Sequence, residues 1–107
     1  MTTQRVRDII EACDRIMKAT AGLDREAFAG NDLVTRAVLY YFAVIGEAAK
    51  GVSPAMRASL ASIPWSEMAG MRDVVIYQYF GVDADIVWRA ATVSVPKLAT
   101  QLREIVG

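Results

Sequence analysis

The sequence contains no histidine and only one cysteine, Cys13, among its 107 residues. A single cysteine excludes a disulfide framework within the chain. Zinc sites are built mostly from histidine and cysteine, so a zinc site is disfavoured as well, and we expect neither a metal nor another cofactor. The absence of histidine also removes the side chain that most often performs acid–base catalysis near neutral pH.

Neither sign of charge is in excess, because twelve basic and twelve acidic side chains cancel. No overall field therefore attracts nucleic acid or an anionic membrane, and contact with RNA needs a local basic cluster. Long hydrophobic runs are also lacking: none approaches the roughly 18 residues that span a bilayer. Arg5 and Arg7 are followed by an amphipathic pattern, unlike a signal peptide. We expect a cytoplasmic protein without membrane contact.

Apolar residues are abundant, at 54% of the chain. A length of 107 residues indicates one domain, residues 1–107, able to bury somewhat over roughly 60% of its unfolded surface. The apolar content lies above the usual range of about 45–50%. This excess suggests that some apolar side chains are covered in an oligomer.

The first apolar stripe has the period of a helix. Its members are Val6, Ile9, Ile10, Cys13, Ile16 and Met17. Charged residues fill the opposite face, as on a solvated helix. Cys13 lies within the stripe, so we interpret it as a packing residue and not a nucleophile. Gly22 is the predicted end of this helix.

The segment from Leu33 to Lys50 has two neighbouring apolar stripes. One contains Leu33, Ala37, Tyr40, Val44 and Ala48, and the other contains Val34, Val38, Tyr41 and Ile45. A helix apolar on most sides is buried on most sides, so we expect it at the centre of a bundle or partly covered by a second subunit. Asn31 or Asp32 can cap its start, and Gly51 can end it. Gly46 is small enough for close approach of another helix.

Three further segments complete the prediction. Ser53 and Pro54 start a short helix. Another extends from Trp65 to about Gln78, with inward-facing candidates Trp65, Met68, Met71 and Val75. Gly81 and Asp83 separate it from a last helix, Ala84 to Ile105, with a kink expected at Pro96. No segment shows a strand pattern, so the sequence predicts an all-α, antiparallel bundle of about four main helices.

The stretch "MRDVVIYQYFGVD", residues 71–83, concentrates polar groups at the end of an apolar run. Arg72 and Tyr79 are seven residues apart and share one helix face, while Asp73 and Tyr77 share a neighbouring face. One interpretation is a catalytic cluster. The other is that Arg72 pairs with an acid, and the tyrosines pack in the core with a polar tip exposed.

Three blocks, "IGEAAKGVSP", "IPWSEMAGMRDVVIYQYFGVD" and "IVW", resemble the HepT-like proteins of the HEPN superfamily. The resemblance covers nearly the whole chain. It implies a HEPN-like helical homodimer, with two motif copies facing each other. It also implies a metal-independent endoribonuclease, the toxin of a type VII toxin–antitoxin system. A cognate minimal nucleotidyltransferase would silence this toxin by adenylylating a tyrosine.

The family motif runs from an arginine through a polar residue to a histidine and a closing tyrosine. By resemblance, Arg72 is its arginine, Asp73 its polar residue, and Tyr79 its closing tyrosine and adenylyl acceptor. Tyr77 stands at the histidine position. A phenol, with a typical pKa of about 10, is a poor base where a histidine near about 6.5 is effective. Asp73 would also repel a phosphate, so we expect RNA cleavage to be feeble or absent.

Two alternatives stay open at this point. Tyr77 is either an engineered change that disarms a toxin or a natural variant. The chain is correspondingly either a weakened ribonuclease toxin or a non-enzymatic subunit that binds, and is modified by, a partner nucleotidyltransferase.

Overall fold

The computed structural model describes residues 2–79 and 84–106, with side chains for 4–75 and 84–106. Within these ranges the chain forms α-helices and one π-helical turn, and no strand. The elements are α1 (Thr2–Thr20), α2 (Arg25–Ala29), α3 (Asp32–Lys50), α4 (Pro54–Ser59), α5 (Trp65–Tyr79), α6 (Ala84–Arg89), the π turn (Ala90–Ser94) and α7 (Val95–Val106). The all-α prediction is confirmed. Helix α3 packs against both α1 and α5, and α1 packs against α7.

The helix starts follow the predicted capping chemistry. Asn31 caps α3, since its side-chain oxygen accepts a hydrogen bond from the Val34 amide at 3.1 Å. Ser53 accepts from the Met56 amide at 3.2 Å, directly before Pro54 opens α4. After α1 the chain turns at Gly22, whose positive φ of 77° favours glycine. These caps satisfy backbone amides that the first helical turn leaves without partners.

The predicted last helix is divided into α6, the π turn and α7. At the turn the Val95 amide donates to the carbonyl of Ala90, five residues earlier. Pro96 follows, and it has no amide hydrogen with which to continue the α-helical pattern. The π turn, Ala90–Ser94, therefore lies just before Pro96, the residue at which the sequence predicted a kink. The predicted separators Gly81 and Asp83 lie outside the described residues.

The core forms where the predicted stripes meet. Val6, Ile9, Cys13 and Ile16 of α1 are fully buried, as are Val38, Phe42 and Ile45 of α3. From α5, Trp65, Met68 and Met71 are buried, and Val75 packs against the core from a half-buried position. Burial of these apolar side chains is the main force that holds the bundle together.

Helix α3 is central, but one of its sides is open to solvent. Leu33 is 81% exposed and Tyr40 is 63% exposed. Elsewhere in the same stripe, Ala48 is buried and Val44 packs against the core. The single chain therefore buries this stripe only in part, and cover of the rest by a second subunit stays a prediction. In the described part of the chain, no helix combines the length and apolar character required to cross a membrane.

Candidate functional site

Helix α5 carries Arg72 against a glycine of α3. A Cβ atom added at Gly46 would lie 2.9 Å from the Arg72 Cβ and 3.1 Å from its backbone nitrogen. The first contact is shorter than Cβ atoms normally make and the second is tight, so the missing side chain permits the two backbones to approach. The predicted role of Gly46 is confirmed, and the contact fixes where the Arg72 side chain leaves α5.

The next residue of α3, Glu47, meets the charged end of Arg72. Its Oε1 accepts a hydrogen bond from Arg72 Nη1 at 2.9 Å, and the two side chains are 65% and 51% exposed. Pairing of Arg72 with an acid was one interpretation of the motif, and Glu47 is that acid. Sequence reasoning missed Glu47 itself, although it lies in the block "IGEAAK". The pairing spans 25 positions, and nothing local indicates it.

The remaining motif residues are only partly described. Asp73 is exposed and makes no hydrogen bond or ion pair with the part of the chain that the structure describes. Tyr77 and Tyr79 belong to α5, but their side chains lie outside the described residues. A shared face for Arg72 and Tyr79 therefore stays a prediction.

A cleft of about 450 Å³ lies between α1 and α3, and Glu47 forms part of its wall. Arg5, Arg15 and the aromatic pair Tyr40 and Tyr41 also line it. The two rings meet edge to face, with centroids 5.0 Å apart. Glu47, the partner of Arg72, thus borders a cavity large enough for a small ligand.

Other candidate chemistry is sparse within residues 4–75 and 84–106. No three carboxylate or thiol groups converge there as metal ligands would. Cys13 is buried, and burial, followed by the nearby Asp14 carboxylate, raises the pKa of its thiol to about 12. A thiol that keeps its proton at neutral pH is not a nucleophile, in keeping with its predicted packing role.

Comparison with known proteins places these residues in a family. The family described as "Ribonuclease HepT-like" matches residues 9–105. A "Putative RNase" of Caldanaerobacter subterraneus subsp. tengcongensis is 35% identical over 91% of this chain and 87% of its own length. A "Putative RNase" of Methanocaldococcus jannaschii is 38% identical over 92% and 82% of the two chains. No solved structure matches.

A protein of Thermococcus cleftensis named "Probable ribonuclease HepT" is 33% identical over 94% of this chain and 91% of its own length. The matched region includes α3 and α5, and with them the contact of Gly46 and Glu47 with Arg72. On this family match and these near full-length identities, the chain belongs to the HepT-like family of the HEPN superfamily.

Proposed function

We propose that this chain is a HepT-like endoribonuclease toxin whose activity is weakened because Tyr77 stands at the histidine position. It acts as a homodimer and is the target of a cognate nucleotidyltransferase. The observation that carries the proposal is the guanidinium of Arg72, exposed at the motif position of α5. Relatives of near full-length similarity have ribonuclease names.

The reaction follows from what metal-free RNA cleavage requires. The 2′-hydroxyl must lose its proton, attack the neighbouring phosphorus and displace the 5′-oxygen, which leaves a 2′,3′-cyclic phosphate. A guanidinium binds the negative phosphate through parallel N–H bonds. Arg72 uses one nitrogen for Glu47, and its other N–H groups make no bond within the described residues. Arg72 can therefore hold the scissile phosphate, while the phenol of Tyr77 supplies no effective base.

The decisive test is Tyr77→His assayed on single-stranded RNA. The histidine supplies a group that titrates near neutral pH, so cleavage is expected to rise by about 10²–10⁴-fold. The products should carry 2′,3′-cyclic phosphate ends, as separated by chromatography, and cleavage should persist in EDTA.

Arginine variants provide the controls for this experiment. Arg72→Ala in the Tyr77→His background should abolish cleavage, because the phosphate charge is left unpaired. Arg36→Ala removes another exposed arginine, one that pairs with Asp32 at 2.8 Å on α3, and should leave the rate unchanged. Strong cleavage by the unchanged chain that survives Arg72→Ala would place the chemistry elsewhere.

The absence of histidine supports a second candidate function. In it the chain is a non-enzymatic subunit that binds its nucleotidyltransferase and is modified by it. A Tyr77→His protein that is folded and dimeric yet inactive would favour this function. Asp73→Asn should be tested in the same protein, since the additional negative charge can repel RNA.

Modification is proposed at Tyr79, the closing tyrosine of the motif. An AMP group on this side chain would bring its phosphate towards Arg72, which lies seven residues earlier on the same predicted helix face. The phosphate would then compete with RNA for the guanidinium. Incubation with the cognate nucleotidyltransferase, ATP and Mg²⁺ should add one AMP mass to the intact protein. The adduct should be lost in Tyr79→Phe and kept in Tyr77→Phe. An adduct that survives Tyr79→Phe would refute the assignment.

A further inference from the structure

The carboxylate of Glu47 lies beside the guanidinium of Arg72 and is open to solvent. It lies 2.9 Å from Arg72 Nη1, and its side chain is 65% exposed, so a substrate can reach it. It also forms part of the wall of the 450 Å³ cleft between α1 and α3. No other carboxylate in the described residues contacts the Arg72 guanidinium.

The ion pair contributes little to folding. Exposed pairs of this kind stabilise proteins by about 0–1 kcal/mol. The α3–α5 contact has other support in the buried Ile45 and Met68 and in the close approach at Gly46. The carboxylate can therefore exchange its hydrogen-bonding partner without loss of the fold.

Carboxylates serve as general bases when they are held within hydrogen-bond reach of the proton that they remove. Arg72 Nη1 carries two N–H groups, and Glu47 accepts from this nitrogen. A phosphate on the second N–H would bring the attached ribose next to the carboxylate. We infer that Glu47 is the general base of this chain, acting on the 2′-hydroxyl in place of the missing histidine; the inference rests on the proposed ribonuclease function.

The step balances without metal or redox chemistry. The Glu47 carboxylate accepts the proton of the 2′-hydroxyl while the 2′-oxygen forms its bond to phosphorus. The bond between phosphorus and the 5′-oxygen breaks, and the leaving oxygen takes a proton from water. Protonated Glu47 then returns its proton to the hydroxide so formed. Arg72 offsets the negative charge that develops on the phosphate oxygens.

Neighbouring carboxylates are less suited to this role. Asp73 makes no bond to Arg72 or to other described residues. In the cleft, Glu11 pairs with Arg15 at 3.6 Å, and Asp8 accepts a hydrogen bond from Gln4 at 2.8 Å. Glu47 alone among these is joined to the proposed phosphate ligand.

The test is the cleavage rate of single-stranded RNA by the unchanged chain in EDTA at neutral pH. We expect slow cleavage that falls by about 10²-fold or more in Glu47→Gln, the typical contribution of a positioned base. Glu104→Gln removes an equal charge from an exposed position of α7 and should leave the rate unchanged. Circular dichroism checks that both variants keep their helix content.

Chemical rescue separates a base from a residue that only positions Arg72. In Glu47→Ala, added imidazole should restore cleavage in proportion to its concentration. Neutral imidazole can accept a proton but cannot replace the ion pair with the guanidinium. Two control reactions give the background rate: imidazole without protein, and imidazole with the double variant Glu47→Ala/Arg72→Ala.

The outcomes distinguish this inference from the proposed function. An unchanged rate in Glu47→Gln, or a loss that imidazole does not rescue, overturns the role as base. Cleavage by Tyr77→His with none by the unchanged chain also overturns it, and leaves the proposed function standing. No cleavage by either protein overturns both.

Discussion

Arg72 is held by two adjacent residues of α3 in different ways. Gly46 determines where the Arg72 backbone lies, because a Cβ atom at position 46 would come within 2.9 Å of the Arg72 Cβ. Glu47 determines where its charge lies, through the 2.9 Å hydrogen bond to Nη1. A flexible arginine so constrained loses less side-chain entropy when it binds a phosphate. The pair of residues thus prepares Arg72 for the proposed chemistry.

Cys13 allows a prediction of pH dependence at the residue scale. Its pKa is raised from the ordinary 9.0 to about 12, first by burial and then by Asp14. Because the thiol has a higher pKa in the folded state than in the unfolded state, it contributes to stability fully below pH 9.0. This contribution is lost as the pH rises towards 12. The free energy of unfolding should therefore fall above about pH 9, by up to about 1.4 kcal/mol per pH unit from this group.

The measurement is urea denaturation at several pH values between 8 and 11. Cys13→Ala is the matched control, since the contribution of the thiol is the difference between the two pH profiles. Parallel profiles would contradict the prediction.

Among the helices, the contact between α3 and α5 gives the sharpest prediction. Gly46→Ala should destabilise the protein, because the new Cβ meets the Arg72 backbone nitrogen at 3.1 Å as well as its Cβ. Overpacking of this kind costs about 1–3 kcal/mol. Replacing glycine by alanine also raises the helix propensity, which offsets up to about 1 kcal/mol of this cost. Urea denaturation should show the net loss.

Gly70 of α5 offers a matched control for this substitution. A Cβ at Gly70 meets nothing within 4 Å, so Gly70→Ala should be neutral or stabilising. If the two variants have equal stability, the tight contact between α3 and α5 is not present in solution.

The π turn shows a second effect at the scale of elements. A proline inside a helix leaves the carbonyl four residues earlier without its usual partner and crowds it. Here the carbonyl belongs to Thr92, inside the π turn, where the hydrogen bond from Val95 already reaches back to Ala90. The wider turn accommodates the ring of Pro96, and α7 continues directly from it.

At the scale of the whole molecule, the open side of α3 leads to a prediction of assembly. Leu33 and Tyr40 lie seven residues apart on one face and are 81% and 63% exposed. Met68 and Met71 are buried in the chain's own core, as predicted for inward-facing residues, and add nothing to this face. We predict a homodimer at micromolar concentration, since large exposed apolar side chains on one face favour association.

Light scattering of the unchanged chain tests this prediction, with the variant Leu33→Glu/Tyr40→Glu expected to be monomeric. Ile86→Glu is the control, because Ile86 is also an exposed apolar residue, at 50%, but lies on α6. If the unchanged chain is monomeric at micromolar concentration, the predicted homodimer is wrong. In the dimer, two Arg72 side chains would line one groove and form a local basic site in a neutral protein.

The sequence by itself determined the helical class, the cap at Ser53 and the family, and it limited the cap of α3 to Asn31 or Asp32. These depend on local patterns: the period of apolar residues, the side chains that satisfy free amides, and the blocks around Glu47 and Arg72. The prediction that Tyr77 weakens cleavage also comes from the sequence alone, because it rests on the acidity of a phenol.

Only the tertiary structure decided which residues meet. The contact of Gly46 with Arg72 and the ion pair with Glu47 join positions about 25 residues apart, and helical period carries no information on such a pairing. The apolar stripe that contains Leu33 and Tyr40 likewise did not determine their exposure. Such a stripe indicates only that a helix face is suited to being covered. Whether it is covered depends on how many neighbouring helices the chain folds against it, and in this chain α1 and α5 leave that side open.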